Sequence, residues 1–174
     1  MIFKDAIEIQ SSRLILKPFE ETDADEIYGC ITHSLTRYMS WEPPKDRAHF
    51  AEICQTWIRN IADDSDYVFV IRNKSNNHFL GLSGFHQNRG DYPELGIWIR
   101  EDQHGYGFGR EAVTAVVEWA SINFDQESFI YPVAMENYPS RRIAESLGGV
   151  EMYCSQTPKY LSITYFIPNK TNNT

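Results

Sequence analysis

The sequence has little of what marks several classes of protein. Its three cysteines, Cys30, Cys54 and Cys154, are an odd number and lie far apart, so neither a disulfide framework nor a zinc site is expected. The five histidines have no metal-ligand spacing. Every apolar run is far shorter than the roughly 20 residues of a transmembrane helix, and the first residues lack the layout of a signal peptide. These absences predict a cytoplasmic protein that has no metal and no membrane partner.

Positive charge is scarce as well. The chain has 16 lysines and arginines against 24 aspartates and glutamates, a formal net charge of −8. A protein that binds nucleic acid normally presents a basic face, so no nucleic-acid partner is expected. An acidic surface suits a cationic substrate, but it is also common in proteins without a specific charged partner. The net charge therefore argues against a nucleic-acid partner and does not identify any other partner.

The length and composition fit one folded domain. The chain has 174 residues, of which 42 % are hydrophobic and 23 % are charged, as in ordinary globular proteins. A chain of this length buries about 70 % of its unfolded surface. We therefore predict a single domain over residues 1–174, with its core at about 11–167.

The hydrophobic pattern changes several times between a period of two and a helical period. It predicts strands at 13–19, 67–72, 79–87, 94–99, 129–135, 149–154 and 160–167, and helices at 24–32, 47–61, 110–124 and 140–147. This order indicates an α+β, or mixed α/β, sheet with helices packed on it. It lacks the even alternation of a doubly wound sheet.

A glycine-rich loop between the strand at 94–99 and the next helix carries the strongest chemical signal. It reads Gln103-His104-Gly105-Tyr106-Gly107-Phe108-Gly109. Backbone amides at a helix N-terminus are unpaired, and glycines let a ligand approach them, so the loop suits a pyrophosphate. The spacing excludes a Walker loop and a GxGxxG dinucleotide fingerprint. The alternative is a flexible turn that only begins the helix.

Four segments in the same order resemble the GNAT acyl-CoA N-acyltransferases, in particular the branch that acetylates the N-termini of ribosomal proteins. The family's phosphate loop, Gln/Arg-x-x-Gly-x-Gly/Ala, corresponds to His104–Gly109. Its Asn-x-x-Ser, short helix and Leu-Gly correspond to Asn137–Gly148. The segments Ser12–Phe19 and Glu94–Ile99 look like the opening and fourth strands of the branch. The resemblance covers residues 11–167.

The resemblance implies a fold and a co-substrate. The expected fold is a GNAT-like central mixed, mostly antiparallel sheet of about seven strands, splayed between strands 4 and 5 and flanked by about four helices. Acetyl-CoA would lie in the splay. The loop would hold its pyrophosphate, the fourth-strand backbone and Asn137 its pantetheine arm, and an arginine on the last helix a phosphate, unless that arginine only lines a solvated face. The residues implied are Ile97, Ile99, His104, Gly105, Tyr106, Gly107, Phe108, Gly109, Arg110, Asn137 and Arg142.

Two positions depart from the family pattern. His104 stands where the family has Gln or Arg, which bears on one phosphate contact but leaves the backbone amides in place. Gly149 and Val150 stand where Gly-Phe is common, which bears on packing only.

The resemblance also implies direct attack of an amine on the thioester in a ternary complex. A protonated amine has no lone pair, so a base must remove its proton, and Glu94 is the candidate. Ser140 is the candidate acid for the leaving thiolate, with Tyr138 as a rival donor. Each has a structural alternative. Glu94 would be an exposed strand-end carboxylate, Ser140 a helix N-cap and Tyr138 a loop aromatic.

The acceptor side is expected around Tyr38, Trp41, His86 and the loop at 88–92, with His86 also interpretable as a strand-surface residue. The implied acceptor is a protein or peptide N-terminus. A small amine, such as a polyamine, amino acid or aminoglycoside, and a noncatalytic acyl-CoA-binding module are the alternatives, because one fold serves many functions. Both a monomer and a homodimer fit the sequence.

Overall fold

The computed structural model describes residues 7–87 and 89–172, apart from the side chain of residue 172. Eight strands and five helices follow one another along this part of the chain. In order they are β1 Ile9–Gln10, β2 Leu14–Pro18, α1 Ala24–Tyr28, α2 His33–Thr36, α3 Arg47–Ala62, β3 Asp66–Asn73, β4 Phe79–His86, β5 Glu94–Ile99, α4 Phe108–Asn123, β6 Ser128–Ala134, α5 Tyr138–Ser146, β7 Val150–Gln156 and β8 Leu161–Pro168.

All eight strands form one sheet in the order β1-β2-β3-β4-β5-β6-β8-β7. Every neighbouring pair is antiparallel except β5 and β6, which are parallel and share a single pair of partners, Glu94 and Ile130. Beyond that pair the two strands diverge. The mixed, mostly antiparallel sheet is confirmed, and so is its splay, because β5 and β6 are the strands expected fourth and fifth.

The differences from the expected elements are local. Strand β1 has only two residues, too few for a periodic pattern to show. The helix expected at 24–32 ends at Tyr28, and a second one begins after Thr32, whose hydroxyl accepts a hydrogen bond from the Leu35 amide at 3.1 Å. Thr32 is thus an N-cap rather than the end of a helix. The last helix begins at Tyr138 rather than Ser140, because Asn137 is its N-cap.

Helices cover both faces of the sheet. On one face, α4 packs Val113, Val116 and Val117 against apolar side chains of β2 to β6 and β8. On the other, α1 to α3 pack against side chains such as Val68 and Leu82. Because side chains alternate along a strand, the residue two positions before Val68 on β3 and the residues two and four positions after Leu82 on β4 also lie on the α1–α3 face. No helix within the described ranges is long and apolar enough to cross a membrane.

Candidate active site

The phosphate loop joins β5 to α4 and is built on two left-handed glycines. Gly105 has a φ of +87° and Gly107, the N-cap of α4, a φ of +79°, a region that disfavours a side chain. The first hydrogen bond of α4 runs from the Glu111 amide to the Gly107 carbonyl at 3.1 Å. The amides of residues 108–110 therefore have no intrahelical acceptor. Such a helix start binds phosphate.

His104 connects this loop to the end of β5 through a hydrogen bond. Its Nε2 lies 2.6 Å from the Ile99 carbonyl oxygen, and since a carbonyl only accepts, Nε2 carries the proton. The ring thus braces the backbone that the resemblance assigns to the pantetheine arm. A phosphate contact by His104 remains a prediction.

Gly109 lies where α4, α5 and β5 meet. A Cβ there would lie 3.4 Å from Ile143 Cδ1 and 3.6 Å from Ile99 Cγ1, which is ordinary van der Waals contact, so packing alone does not require glycine. Phe108 is buried beside it, whereas Tyr106 is 61 % exposed. Arg110 and Arg142 are exposed, one on each of the two helices that meet at Gly109.

The β5 edge in the splay is the place predicted for the pantetheine arm. Ile97 packs against the α4 side of the core, and beyond Glu94 its strand has no pairing with β6. Across the splay, the Asn137 Oδ1 accepts a hydrogen bond from the Ser140 amide at 3.4 Å. This cap uses only the oxygen of the Asn137 amide group, so the Nδ2 group is compatible with the predicted contact.

Ser140 lies beside a second hydroxyl. Its Oγ is 2.5 Å from the hydroxyl of Tyr131 on β6. Burial raises the pKa of Tyr131, although its hydrogen bond with Ser140 acts in the opposite direction. Tyr131 therefore stays protonated at neutral pH and can donate to Ser140. Tyr138 is 57 % exposed at the start of α5, in contact with the guanidinium of Arg141, whose Cζ is 5.7 Å from the ring centre.

Three titratable residues form a row across β3, β4 and β5. Asp66 is the strand partner of His86, and His86 is the partner of Glu94. All three side chains lie on the α1–α3 face and are less than 20 % exposed, at 17 %, 14 % and 19 %. Directly paired residues in antiparallel strands have neighbouring side chains. The row therefore places an imidazole between two carboxylates.

The Glu94 carboxylate has a partner of opposite charge. Arg89 Nη1 lies 2.8 Å from Glu94 Oε2. Glu94 also influences Tyr160, whose pKa is raised by burial and by the Glu94 charge. Glu94 is therefore not an exposed carboxylate at the end of a strand.

The loop at 37–42 borders the same face. Lys159, in the turn between β7 and β8, donates to the Thr36 carbonyl at 2.7 Å and forms an ion pair with Glu42 at 2.9 Å. Tyr38 is half-buried in this loop and Trp41 is 39 % exposed. Glu42, the acidic residue of this loop that could attract a cationic amine, is thus already paired with the positive charge of Lys159.

The structure places the residues proposed from the sequence in separate groups: His104 beside the end of β5, Asn137 and Ser140 at the start of α5, and His86 with Glu94 on the α1–α3 face. The sequence offered no signal for Asp66, Arg89 or Tyr160. Strand register brings Asp66 beside His86, and the β4–β5 turn and the closing turn bring Arg89 and Tyr160 near Glu94. In the loop expected at 88–92, residue 88 lies outside the described residues. The Tyr92 ring packs on Phe166 with centres 5.0 Å apart. Within the described ranges, no group of three His, Cys, Asp or Glu side chains is placed to hold a metal ion.

Comparisons with known proteins agree with this geometry. Residues 13–150 match the family profile described as an acetyltransferase (GNAT) domain. An N-acetyltransferase 9-like protein of Caenorhabditis briggsae is 20 % identical over 182 residues, with 98 % of this chain and 90 % of that protein covered. An uncharacterized N-acetyltransferase of Bacillus subtilis, YoaA, is 22 % identical over 143 residues, with 80 % and 81 % covered.

Two solved structures share the fold over nearly the whole chain. RimL, a ribosomal L7/L12 α-N-protein acetyltransferase in complex with coenzyme A, superposes with a TM-score of 0.83 at 15 % identity, covering 95 % of this chain and 100 % of that one. Spermidine N-acetyltransferase from Vibrio cholerae, in complex with CoA and spermine, superposes with a TM-score of 0.78 at 20 % identity, covering 91 % and 97 %. At these identities the likeness shows a shared fold.

Proposed function

Since this chain belongs to the GNAT acetyltransferase family and is an acyltransferase, we propose that it moves an acetyl group from acetyl-CoA to the N-terminal amine of a protein or peptide. One observation carries the proposal. The gap between β5 and β6 opens beside the glycine-lined start of α4. A strand edge for an amide-bearing arm and a helix start for its pyrophosphate thus lie next to each other.

The donor is held mainly by backbone groups in this proposal. The amides from Gly105 to Arg110 bind the pyrophosphate, and the β5 backbone at Ile97 and Ile99 pairs with the pantetheine amides. Arg110 and Arg142, both exposed near the helix contact at Gly109, supply positive charge for phosphate. Acetyl-CoA, when bound, supplies the activated acetyl group.

The acceptor enters from the α1–α3 face. Tyr38 and Trp41 line its approach, and Glu94 faces its ammonium group. The row of Asp66, His86 and Glu94 provides the proton-accepting groups that a protonated amine requires before attack. An amide of β5 near Ile97 donates to the thioester oxygen as it gains negative charge.

The leaving thiolate needs a proton. Ser140 is the proposed donor, and the buried Tyr131 hydroxyl at 2.5 Å can reprotonate it. Tyr138 remains a rival donor in this proposal. Its exposure at the first turn of α5 gives it room to move toward the splay.

The peptide acceptor is supported by the resemblance to the ribosomal-protein branch and by the superposition on RimL. A small polyamine is the second candidate, supported by the superposition on spermidine N-acetyltransferase. A panel separates them: peptides that begin with serine or alanine, and spermidine, each assayed for thiol release from acetyl-CoA. Turnover of spermidine alone would replace the peptide proposal.

The first test is calorimetric binding of acetyl-CoA, with CoA, NAD and ATP in parallel. We expect selective binding of acetyl-CoA and CoA, because the loop lacks the features of a Walker or dinucleotide site. In Gly107→Val, the added side chain meets an unfavourable backbone angle and crowds the helix start, so the affinity should fall at least tenfold. Unchanged affinity in a folded Gly107→Val protein would show that the phosphate binds elsewhere, and no binding by the unaltered protein would contradict the proposed function.

We also propose that the reaction takes place in the cytoplasm. The support is that Cys30, Cys54 and Cys154 are all free thiols, one half-buried, one buried and one exposed. Free thiols suit a reducing compartment.

A further inference from the structure

We propose that His86, rather than Glu94, accepts the proton of the acceptor amine, and that Glu94 binds the ammonium group beforehand. This inference rests on the proposed function and assigns the proton transfer within it. Nε2 of the ring is the accepting atom, and Nδ1 faces Asp66. The inference comes from the position of the ring, its protonation and its charged neighbours.

Gly84 creates the place where the ring lies, and Gly96 borders it. Gly84 and Gly96 are directly paired on β4 and β5. A Cβ at Gly84 would overlap His86 Nε2, and one at Gly96 would lie 3.9 Å from it. The imidazole therefore folds back over this pair of glycines and brings Nε2 next to β5, one residue from Ile97. That strand is the one whose other edge opens into the splay.

The ring is almost enclosed yet lacks a strong hydrogen bond. His86 Nδ1 is buried and lies 3.4 Å from Asp66 Oδ2, longer than a well-formed hydrogen bond. Such distances commonly shorten when substrate binds. A proton on Nδ1 directed at Asp66 leaves the lone pair of Nε2 available.

The neighbouring charges suit a group that must be neutral before the reaction and cationic after it. Burial lowers the pKa of His86 below 6.5, and Arg89 lowers it further, against the opposing effects of Asp66 and Glu94. The ring is therefore neutral at pH 7. Once protonated, it lies between the two carboxylates, which stabilise an imidazolium as the buried acid of a catalytic triad does.

The proposed step balances its atoms and charges. The ammonium group, bound by Glu94, gives one proton to His86 Nε2. The freed lone pair forms the C–N bond to the acetyl carbon, the C–S bond breaks, and the sulfur takes a proton from the Ser140 hydroxyl. The nitrogen loses its second proton as it becomes the neutral amide, and this proton restores the Ser140 hydroxyl. The imidazolium then returns its proton to solvent. Arg89, at 2.8 Å from Glu94, keeps that carboxylate oriented.

The deciding variant is His86→Gln, which keeps a polar side chain of similar size but cannot take up a proton. We expect kcat/KM to fall about tenfold near pH 7, because only about a tenth of an N-terminal amine with a pKa near 8 is already neutral at that pH. The deficit should shrink above about pH 8, where an N-terminal amine loses its proton unaided. Acetyl-CoA affinity should be unchanged. His78→Gln, at an exposed site in the β3–β4 turn, is the matched control and should behave like the unaltered protein.

A second variant displaces the ring without removing it. In Gly84→Ala the added methyl group competes with the far end of a flexible side chain, so the protein should fold while activity falls as in His86→Gln. Full activity with an unchanged pH profile in folded His86→Gln would overturn the assignment and leave the acetyl-CoA proposal standing. A readout that needs no acceptor is the ¹⁵N spectrum of the His86 ring at pH 7. A proton on Nε2, or a charged ring, would also overturn it.

Discussion

Glu94 differs from the other carboxylates of the site because a guanidinium lies beside it. Its Oε2 is bonded to Arg89 at 2.8 Å, while the side chain is only 19 % exposed. Arg89 therefore fixes the orientation of the Glu94 carboxylate, and this also fixes the direction of the oxygen that Arg89 does not contact. In our proposal, binding of the acceptor's ammonium group depends on the charge of Glu94, whereas proton transfer depends on His86.

Glu94→Gln tests that division of roles. We expect KM for the acceptor to rise about tenfold, since a charge-assisted hydrogen bond contributes about 1.5 kcal/mol or more, while kcat changes less. The measurement is steady-state kinetics at saturating acetyl-CoA, at several pH values. A large loss of kcat at pH 7 that recovers at high pH would instead restore Glu94 as the base and contradict the role given to His86.

Single residues also show what the sequence alone could reveal. Gly105 and Gly107 were recognised because a strand, a glycine pair and a helix lie in succession, and the structure gives both a positive φ. The charged neighbours were not, because Asp66 comes beside His86 only through strand register and Arg89 reaches Glu94 only through a turn. The sequence predicts His86 on the acceptor side, with a surface histidine as the alternative, since its burial depends on Gly84, which the local sequence does not place against the ring.

At the scale of elements, the N-cap residue of helix α5 has a structural role and a proposed binding role. Asn137 caps the helix with Oδ1, and the resemblance assigns the same side chain to the pantetheine arm. The sequence predicted the helix but began it at Ser140, since serine is a common N-cap; the helix also includes Pro139. Proline is in fact well tolerated in the first turn of a helix.

The two roles of Asn137 can be separated with a pair of variants. Asn137→Ala loses the cap and should cost about 1 kcal/mol of stability together with acetyl-CoA affinity. Asn137→Asp keeps an accepting oxygen for the cap but has no amide donor, so its stability should be nearly unchanged while the affinity falls. Urea unfolding and calorimetry measure the two quantities. Equal affinity in Asn137→Asp and the unaltered protein would remove Asn137 from the binding site.

At the scale of the whole molecule, the order of strands and helices could be predicted from the sequence. The site could be predicted only in part, because it lies where β5 and β6 splay apart in the assembled sheet. Alternating periodicity in Phe79–His86 and Glu94–Ile99 identifies two strands from local sequence. Their register, which aligns Gly84 with Gly96 and His86 with Glu94, is set by the turn between them and by packing on both faces. The single pairing of β5 with β6 is a property of the assembled sheet, and only the family resemblance anticipated it.

The segment Ser11–Arg13 is joined to helix α4 by the carboxylate of Glu111, and this contact makes a prediction about the stability of the whole fold. Glu111 on α4 accepts from Ser11 Oγ at 2.7 Å and from Arg13 Nε at 3.0 Å. Burial alone would raise the pKa of Glu111, but these hydrogen bonds and the Arg13 charge outweigh it and hold the pKa below 4.5. A lowered pKa in the folded state means that the contribution is complete above the unfolded pKa and is lost as the pH falls through the folded one.

Glu111→Gln should therefore reduce the free energy of unfolding at pH 7 by about 1–2 kcal/mol, the range for hydrogen bonds to a partly exposed charged group. The difference from the unaltered protein should narrow as the pH falls through the lowered pKa of the folded carboxylate, which is then itself protonated. Urea unfolding across this pH range measures it. Glu118→Gln is the matched control, because Glu118 is exposed on the same helix, and it should leave stability unchanged at every pH. A deficit in Glu111→Gln that is as large at pH 3 as at pH 7 would show that packing, and not the ionised carboxylate, joins the turn to the helix.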